Sequence, residues 1–580
     1  MPLDHTRVQQ ALKKVTGTLL AEFDSRGFWV GELSSSALST AVAVIALHRM
    51  GQLELIGPGL RWLAVNVNKD GGWGDTTRSR SNLSTTALVW AAFGATGLEP
   101  QFKSVVAGAE AWIIARSGSL EQLPETIVGL YGKDRTFSIP ILMTLAVSGR
   151  LSGDGWRSVI PLPFELAALP QSWFGVLQLP VVSYALPALI AIGQCIHHHA
   201  PSRNPFARWL RNLLKERTLD RLIELQPPNG GFLEATPLTA FVTLGLASMG
   251  RVDHPVARRG AAFLTASVRA DGSWPIDTNL STWATTLSIK ALAAQPEILG
   301  KSERQRVRGW LLAQQYRVRH PYTGAAPGAW AWTDLPGGVP DADDTAGALV
   351  ALARLGEADA ELVNAVEKGV EWLLDLQNRD GGMPTFCRGW GTLPFDQSAP
   401  DLTVHAMEAW AGWREKLSTP VARRVDKAMK RALNFLAANQ REDGSWVPLW
   451  FGNEKTTTQE NPVYGTARVL MGLDHVRMAG IPVAEEMRSK AVRFLKGKQN
   501  QSGGWGGDAE SGESIEETAL ACEALGDGSG IRRLVELIES REIQAAPIGL
   551  YFARLWYYER LYPVIFATSA LGRAAAGSVR

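Results

Sequence analysis

The sequence predicts an all-α protein whose helices pair into hairpins and close into two α/α barrels. Alternation of polar and apolar residues, the pattern of half-buried strands, is not found over any useful length. Instead, two short phrases recur along the chain, one typical of a buried helix and one typical of a tight turn. Repeated helix pairs bury a continuous core only by stacking on their neighbours, and a closed ring of such pairs is a toroid.

The first phrase is a Thr followed by an apolar helical run that often ends in Gly, and it marks the inner helix of each predicted hairpin. From Thr286 to Thr518 the copies are 59, 58, 63 and 52 residues apart. Such steps suit two helices and a loop rather than one helix. The copies stand at Thr40, Thr86, Thr239, Thr286, Thr345, Thr403, Thr466 and Thr518, with weaker copies near Thr144 and Pro187.

The second phrase is a Gly-containing turn followed by an aromatic residue, and it precedes most inner helices. Glycine supplies the positive φ that tight turns need, and the ring can stack on the turn. A Gln often closes the outer helix just before it. The copies are NKDGGWGD (Trp73), QPPNGGF (Phe232), RADGSWP (Trp274), QNRDGGMP (Met383), QREDGSW (Trp446) and QNQSGGWGG (Trp505).

The number of repeats predicts two domains. Ten units are too many for one ring of about six hairpins. The phrases are clear after residue 268 and weaker before it, so we expect one barrel over residues 13–267 and a second over 268–580 together with residues 1–12. Pockets tend to lie at such domain interfaces.

Composition excludes several functional classes. Lys and Arg number 59 against 57 Asp and Glu, so no basic field favours a nucleic-acid partner. Three distant cysteines give neither a disulfide framework nor a cysteine zinc site. The charged N-terminus has no apolar core of a secretory signal peptide.

One uncharged stretch, Trp173–Cys195, is long enough to test for a membrane span. Pro180 and Pro187 each remove a helix hydrogen bond, which favours a buried inner helix over a span. The next segment is amphipathic, with apolar residues between basic ones, and suits either an interfacial helix or an ordinary surface helix. The region 173–217 is therefore a candidate membrane contact, with Phe206, Trp209, Leu210 and Leu213 among Arg203, Arg208, Arg211 and Lys215.

The candidate acid is the run Asp341-Ala-Asp343-Asp344 directly before an inner helix. Helix capping explains one or two of these carboxylates but not three. Three close carboxylates repel one another, so at least one is expected to keep its proton and to serve as a general acid. The order of residues differs from a magnesium-binding Asp-Asp-x-x-Asp, so no metal is expected.

Asp401 and His405 lie one repeat later and four residues apart, on one face of the next inner helix. If both inner helices face one cavity, His405 reaches the acid, and a cationic His405 would stabilise the carboxylate left after proton donation. The alternative is that His405 is an ordinary core histidine, hydrogen-bonded within the fold and without a catalytic role.

Aromatic residues complete the pattern. Rings attract cations by about 0.5–2 kcal/mol per contact. An acid without a metal, in an aromatic cavity that excludes water, suits alkene protonation and carbocation stabilisation. The candidates are Trp283, Trp330, Trp332, Phe386, Trp446, Trp450, Tyr464 and the run LYFARLWYYERLYP, which holds Phe552 and Tyr558.

Together these residues resemble the squalene–hopene cyclase family, the bacterial class II triterpene cyclases. The family's Asp-x-Asp-Asp-Thr-Ala motif stands at Asp341–Ala346, and its Gln-Trp motifs resemble QREDGSW and QNQSGGWGG. The likeness is strong over residues 265–580. It implies that Asp343 protonates the terminal alkene, that Asp341 and Asp344 flank it, and that His405 pairs with it.

The resemblance also assigns the surrounding residues. Asp401 resembles the carboxylate that precedes the family's histidine, and the implied cavity rings are Trp283, Trp332, Phe386, Trp450, Tyr464, Phe552 and Tyr558. Met383 and Phe232 replace Trp in two turns, Leu555 stands where a cavity Tyr is expected, and the chain is shorter than family members. These departures leave the acid intact and leave substrate length open.

The expected function is cyclisation of a polyprenyl chain, squalene first, to a hopene-type product. A shorter chain, or one with an aromatic or diphosphate head group, is the alternative. The resemblance implies no cofactor and a monotopic enzyme on the cytoplasmic face of the membrane; a homodimer is left open. Competing functions are a zinc-dependent protein prenyltransferase subunit, a non-catalytic toroid and an α/α-barrel glycosidase.

Overall fold

The computed structural model describes residues 4–132, 136–151, 153, 155–179, 181–356, 358–389, 393–540 and 542–577, so Pro180 lies outside the described residues. The helices of the first half are α1 (His5–Ala21), α2 (Ala37–Arg49), α3 (Ile56–Val65), α4 (Leu83–Ala95), α5 (Lys103–Ser117), α6 (Leu123–Tyr131), α7 (Ser138–Val147), α8 (Gln171–Val176), α9 (Leu186–His199), α10 (Pro205–Leu225), α11 (Thr236–Ser248) and α12 (Pro255–Ala266).

The second half continues the alternation of helices. Its helices are α13 (Ser281–Leu292), α14 (Lys301–Gln314), α15 (Ala342–Leu352), α16 (Ala360–Leu376), α17 (Pro400–Trp413), α18 (Thr419–Ala438), α19 (Pro462–Met478), α20 (Glu485–Gly497), α21 (Ile515–Leu525), α22 (Gly528–Ser540) and α23 (Tyr562–Ala575). Short antiparallel strands pair as β1 (Phe23–Asp24) with β2 (Phe28–Trp29), β3 (Ser35–Ser36) with β4 (Trp274–Pro275), and β5 (Ile548–Leu550) with β6 (Leu555–Tyr557).

Each half of the chain closes into a ring of inner helices surrounded by outer helices. In the C-terminal barrel, α13, α15, α17, α19, α21 and α23 pack side by side, and α23 closes on α13. In the N-terminal barrel, α2, α4, α7, α9 and α11 do the same, and α11 closes on α2. Inner helices are buried nearly all round, whereas an outer helix such as α18 buries one stripe. The predicted fold is confirmed.

The recurring phrases have a common physical basis in the turns. The backbone N–H of a turn aromatic donates to a Thr of an inner helix, in most turns the next one along the chain, as Trp446 does to Thr466 Oγ1 at 3.0 Å. Trp274 instead donates to Thr40 of α2. The indole N–H donates back to a carbonyl of the outer helix, as Trp446 Nε1 does to Leu436 at 2.9 Å. The Gln amide bonds two further carbonyls. The same indole bond joins Trp29 to Leu19, Trp73 to Leu63, Trp274 to Leu264, Trp330 to Leu311 and Trp505 to Leu495.

The domain boundary predicted at residue 13 falls inside α1, so it does not separate the two barrels. The whole helix packs on α22 and α23 and completes the outer layer of the C-terminal barrel. Its apolar face, from Val8 to Leu19, is buried in the C-terminal core. The helix carries no repeat phrase, so the sequence offered no signal for its placement.

The uncharged stretch 173–195 divides between the short helix α8 and the inner helix α9. Across the described residues, none of the helices has both the length and the apolarity to span a membrane. Several large apolar side chains of the region 173–217 are nonetheless exposed: Trp173 50%, Val176 81%, Leu177 55%, Phe206 68%, Trp209 58% and Leu213 62%.

The two barrels are joined by hydrogen bonds from backbone N–H groups of the C-terminal barrel to carboxylates of the N-terminal barrel, and one of these bonds lies in the loop that leads into the acid motif. Asp75 of the N-terminal barrel accepts from the backbone N–H of Trp556 in the β5–β6 hairpin at 2.7 Å. Glu234 accepts from the backbone N–H of Gly337 at 2.7 Å, in the loop that leads into α15. The loop and the hairpin are therefore both held against the N-terminal barrel.

Candidate active site

The three carboxylates of the acid motif occupy different environments at the N-terminus of α15. Asp341 is the N-cap, and its Oδ1 accepts from the backbone N–H of Asp344 at 2.8 Å. Asp341 and Asp344 are buried, whereas the Asp343 side chain is 15% exposed. The helix dipole and free N–H groups favour negative charge here. Asp343 is thus the most accessible of the three carboxylates.

Burial makes the flanking carboxylates hold protons. Burial raises the pKa of Asp341 to about 8, and the negative charge of Asp343 adds to the rise. Burial, with the charges of Asp341 and Asp343, raises the pKa of Asp344 well above its ordinary value. Because both carboxyls hold protons, the negative charge at this helix end is low at neutral pH.

His405 bonds the exposed carboxylate directly. Its Nδ1 lies 2.5 Å from Asp343 Oδ1, and the imidazole is buried on α17. Among the described residues no donor reaches Asp343 Oδ2. The short contact fixes one carboxylate oxygen and leaves the other for a reacting group.

The expected cationic state of His405 is not supported in the resting site. Burial lowers the pKa of His405, although Asp343 opposes this when ionised. When Asp343 holds a proton, its opposing charge vanishes. We therefore assign a neutral imidazole whose Nδ1–H donates to Asp343 Oδ1.

Asp401 supports a loop rather than contacting the acid. Its two carboxylate oxygens accept from the backbone N–H of Leu449 at 3.3 and 3.2 Å. Burial, with the charge of Asp343, raises the pKa of Asp401 to about 7. The bond positions the segment that carries Trp450 and Phe451.

A first group of rings surrounds the Asp343–His405 pair. Trp283 meets His405 edge-on, with ring centroids 6.0 Å apart, and lies 6.2 Å from Phe451. Phe451 stacks on Tyr464 at 4.6 Å and lies 6.3 Å from Tyr562. The sequence predictions included Trp283 and Tyr464 but not Phe451, which directly follows the predicted Trp450.

A second group of rings extends toward the N-terminal barrel. Phe386 lies 6.3 Å from Trp332 and 6.2 Å from Trp450. Phe395 stacks on Trp450 at 4.8 Å and meets Phe552 at 5.6 Å. The rings that sequence reasoning missed are Phe395 and Tyr184, the latter 5.2 Å from Phe386. Tyr184 comes from the N-terminal barrel, where no repeat phrase marks it.

Three predicted rings stand apart from these groups, and the first is Trp446, which is fully buried and braces its own turn through Leu436. Trp330 is fully buried and braces its own turn through Leu311, so its assignment as a cation-stabilising ring is corrected. Tyr558 lies beneath the Arg78 guanidinium, whose carbon is 4.6 Å from the ring centroid, at the barrel junction. Over the described ranges, His, Cys, Asp and Glu side chains do not gather into a group that could hold a metal ion.

Comparison with known proteins gives the family. The family models of the squalene–hopene cyclase N-terminal and C-terminal domains match residues 12–227 and 279–526. Enfumafungin synthase of Hormonema carpetanum is 26% identical over 86% of this chain and 42% of its own length. The squalene–hopene cyclase of Zymomonas mobilis is 23% identical over 87% of this chain and 82% of its own.

Solved structures agree on the fold. The ent-copalyl diphosphate synthase of Streptomyces platensis superposes with a TM-score of 0.59 at 19% identity, over 99% of this chain and 100% of that one. The chain spans less than half the length of some curated relatives, such as the enfumafungin synthase. The two matching domain models, the acid motif and the paired barrels show that the chain belongs to the squalene–hopene cyclase family of class II terpene cyclases.

Proposed function

We propose that this class II terpene cyclase protonates the terminal alkene of squalene through Asp343 and guides the polycyclisation of the resulting carbocation. One observation carries the proposal: Asp343 is the exposed carboxylate of the acid motif, bonded to a buried His405 and bordered by aromatic rings.

The proposed first step uses the two oxygens of Asp343 differently. Oδ2 carries the transferable proton, and its O–H bond breaks as the alkene electron pair forms a new C–H bond. The carboxylate left behind keeps the Nδ1–H of His405 on Oδ1. A carbocation remains on the substrate, and each ring closure passes it to the next alkene.

The ring groups have distinct proposed roles. Trp283, Phe451 and Tyr464 border the site of protonation, where the first cation forms. Trp332, Phe386, Trp450 and Phe552 lie in the second group and face later cations. Their π faces stabilise positive charge, and their packing excludes water until the cation loses a proton or captures one water molecule.

A prenyl chain with an anionic head group is the second candidate, and one side chain favours it. Arg554 is half-buried at the tip of the β5–β6 hairpin, adopts a φ of 49°, and follows Phe552 by two residues. Across the described residues its guanidinium has no hydrogen-bond or ion-pair partner. Such a free cation beside the second ring group suits a diphosphate or carboxylate.

We also propose that the enzyme binds the membrane surface from the cytoplasmic side without crossing it. The exposed apolar side chains of α8 and α10 support this contact, because Phe206, Trp209 and Leu213 are more than half exposed. Phe206 and Trp209 lie 5.8 Å apart and form one apolar spot. Apolar rings with basic neighbours suit a bilayer interface.

The test is product formation by detergent-solubilised protein, without added metal, from squalene and from geranylgeranyl diphosphate in parallel. Extracts are analysed by gas chromatography with mass detection, the diphosphate products after phosphatase treatment. Polycyclic product from squalene with the wild type, and none with Asp343→Asn, supports the proposal. Cyclisation of only the diphosphate assigns the second candidate, and a folded protein that cyclises neither refutes both.

A further inference from the structure

A buried carboxylate of the N-terminal barrel, Glu234, bonds the two loops that lead into α13 and α15. Its Oε1 accepts from the backbone N–H of Gly337 at 2.7 Å, in the α15 loop (residues 331–340). Its Oε2 accepts from Thr278 Oγ1 at 3.2 Å, in the α13 loop (residues 276–280). The side-chain amide of Asn229 donates to Oε1 at 2.6 Å. One carboxylate therefore joins three segments of the chain.

The backbone at this carboxylate is held in an unfavourable conformation. Leu233 and Glu234 have φ of 57° and 53°, in the left-handed region where a side chain crowds its own backbone. The contacts around it are close, because a methyl group added to Gly337 would lie 2.4 Å from the Gly231 carbonyl oxygen and 2.5 Å from Glu234 Oε1. Strain of this kind persists only where the surroundings impose it, and it clusters at functional sites.

The two loops lead directly to rings of the candidate site. Trp332 of the second ring group belongs to the α15 loop, and its carbonyl accepts from the backbone N–H groups of Thr282 and Trp283 at 2.9 and 3.2 Å. Trp283 belongs to the first ring group and lies in the first turn of α13. These bonds make the two rings part of one unit, which Glu234 anchors to the N-terminal barrel. Further side-chain bonds within this unit join Thr333 to Asn279 at 2.7 Å and Ser281 to Asp334 at 2.8 Å.

We propose that Glu234 is a positioning residue for the cyclisation: it holds the loops that carry Trp332 and Trp283 in register with the N-terminal barrel, and so decides how far ring closure proceeds. The inference rests on the proposed polycyclisation between the two ring groups. When the loops shift, the π face of Trp332 no longer meets the later cation, which then loses its proton early. The bond between Asp343 and His405 does not involve the loops, so protonation is affected less than product partition.

Three variants separate the bonds of Glu234 from its charge. Glu234→Leu removes the bonds to both loops. Glu234→Gln keeps an oxygen for Gly337 and turns an amide N–H toward the Thr278 hydroxyl, which can accept it. Burial raises the pKa of Glu234, so a neutral amide is a close substitute. Thr278→Val removes only the bond to the α13 loop and is the second variant if Glu234→Leu does not fold.

A fourth variant is the matched control for stability. Trp505→Phe loses the indole bond to the Leu495 carbonyl, 2.8 Å long, in a turn before α21. It should lower the free energy of unfolding without touching either loop, because Trp505 braces only its own turn.

The first readout needs no substrate. In protein labelled with 5-fluorotryptophan, the ¹⁹F signal of Trp332 is assigned by its loss in Trp332→Phe, and that of Trp505 by its loss in Trp505→Phe. We expect the Trp332 signal to shift or split in Glu234→Leu, to do so less in Thr278→Val, and to keep its wild-type position in Glu234→Gln. The Trp505 signal should stay unchanged in all three. A folded Glu234→Leu with a wild-type Trp332 signal overturns the inference.

The second readout is product partition from the prenyl substrate that the wild type cyclises. The ratio of fully cyclised to prematurely terminated product should fall by ~10-fold in Glu234→Leu, while substrate consumption falls by less than ~3-fold. Glu234→Gln and Trp505→Phe should both keep the wild-type ratio. An unchanged ratio in Glu234→Leu overturns the inference, as does an equal change in Trp505→Phe. A shifted Trp332 signal in a protein whose wild type cyclises no prenyl substrate supports the anchoring by Glu234 and counts against the proposed function.

Discussion

Two tryptophans that stand two residues apart should respond to substitution in opposite ways. Trp330 is fully buried, and its Nε1 donates to the Leu311 carbonyl at 2.7 Å. Trp332 is half-buried beside Phe386 and braces no turn of its own. Trp330→Phe should therefore reduce stability and spare the reaction, whereas Trp332→Leu should spare stability and change the reaction.

The expected cost of Trp330→Phe follows from its contacts. The variant leaves the buried Leu311 carbonyl without its donor, which costs about 1–3 kcal/mol. It also opens a gap where the indole packs against Gly369, so closely that a methyl group added to this glycine would lie 2.9 Å from the ring. The gap adds ~1 kcal/mol, for a total loss of about 2–4 kcal/mol in the free energy of unfolding. The cost of Trp332→Leu is about 1 kcal/mol or less.

Urea unfolding followed by circular dichroism measures the stability of both variants, and product formation per enzyme measures kcat. Circular dichroism avoids the fluorescence signal that each substitution removes. We expect near wild-type kcat for Trp330→Phe and a changed rate or product ratio for Trp332→Leu. If Trp330→Phe kept full stability while losing turnover, its placement as a turn brace would be wrong.

The remaining predictions concern proton binding, a turn, and the surface. Burial raises the folded-state pKa of Asp341 to about 8, above the ~3.9 of an unfolded Asp, so its stabilising contribution is full below pH ~4 and is lost as pH rises toward 8. Because Asp341→Asn still caps α15, raising the pH from 5 to 7.5 should increase its free energy of unfolding relative to the wild type by at least about 1 kcal/mol, as measured by urea unfolding at both pH values. An unchanged difference between the two proteins would contradict the raised pKa of Asp341. Gly381 has a φ of 96°, and a methyl group added to it would lie 2.4 Å from the Arg431 carbonyl oxygen, so Gly381→Ala should lower the free energy of unfolding by about 2 kcal/mol or more. Gly412→Ala is the matched control, because a methyl group added at Gly412 meets open space. Phe206→Asp with Trp209→Asp should reduce flotation with anionic lipid vesicles at least tenfold while leaving kcat in detergent unchanged; equal flotation would remove the proposed membrane contact.

Much of the fold could be read from the sequence because its turns repeat one set of hydrogen bonds. The hydrogen bonds of each turn fix where an inner helix begins, as those of Thr466, Trp446 and the Gln before the turn do. Such bonds are local and leave a repeating pattern. Helix α1 was divided between the two barrels at residue 13, because its generic apolar stripe fits either barrel and marks no boundary.

The candidate site was predicted in its motif residues and in several of its rings, among them Trp283, Phe386 and Tyr464. Asp343 and His405 were paired from helix position and family resemblance, and the structure brings them to 2.5 Å. Phe395 and Tyr184 were missed because they lie in single-turn 3₁₀ helices, which are too short for a periodicity to tell which way a ring points.

Cyclisation in D₂O tests whether Asp343 delivers the proton that starts the reaction. The wild type, exchanged into D₂O and given unlabelled substrate, should place one solvent deuterium on the terminal alkene carbon of every product molecule, seen by mass and located by NMR. Asp343→Asn should give no product, because the group that carries the exchanged proton is gone. Polycyclic product without deuterium at that carbon, or deuterated product from Asp343→Asn, would contradict protonation by Asp343.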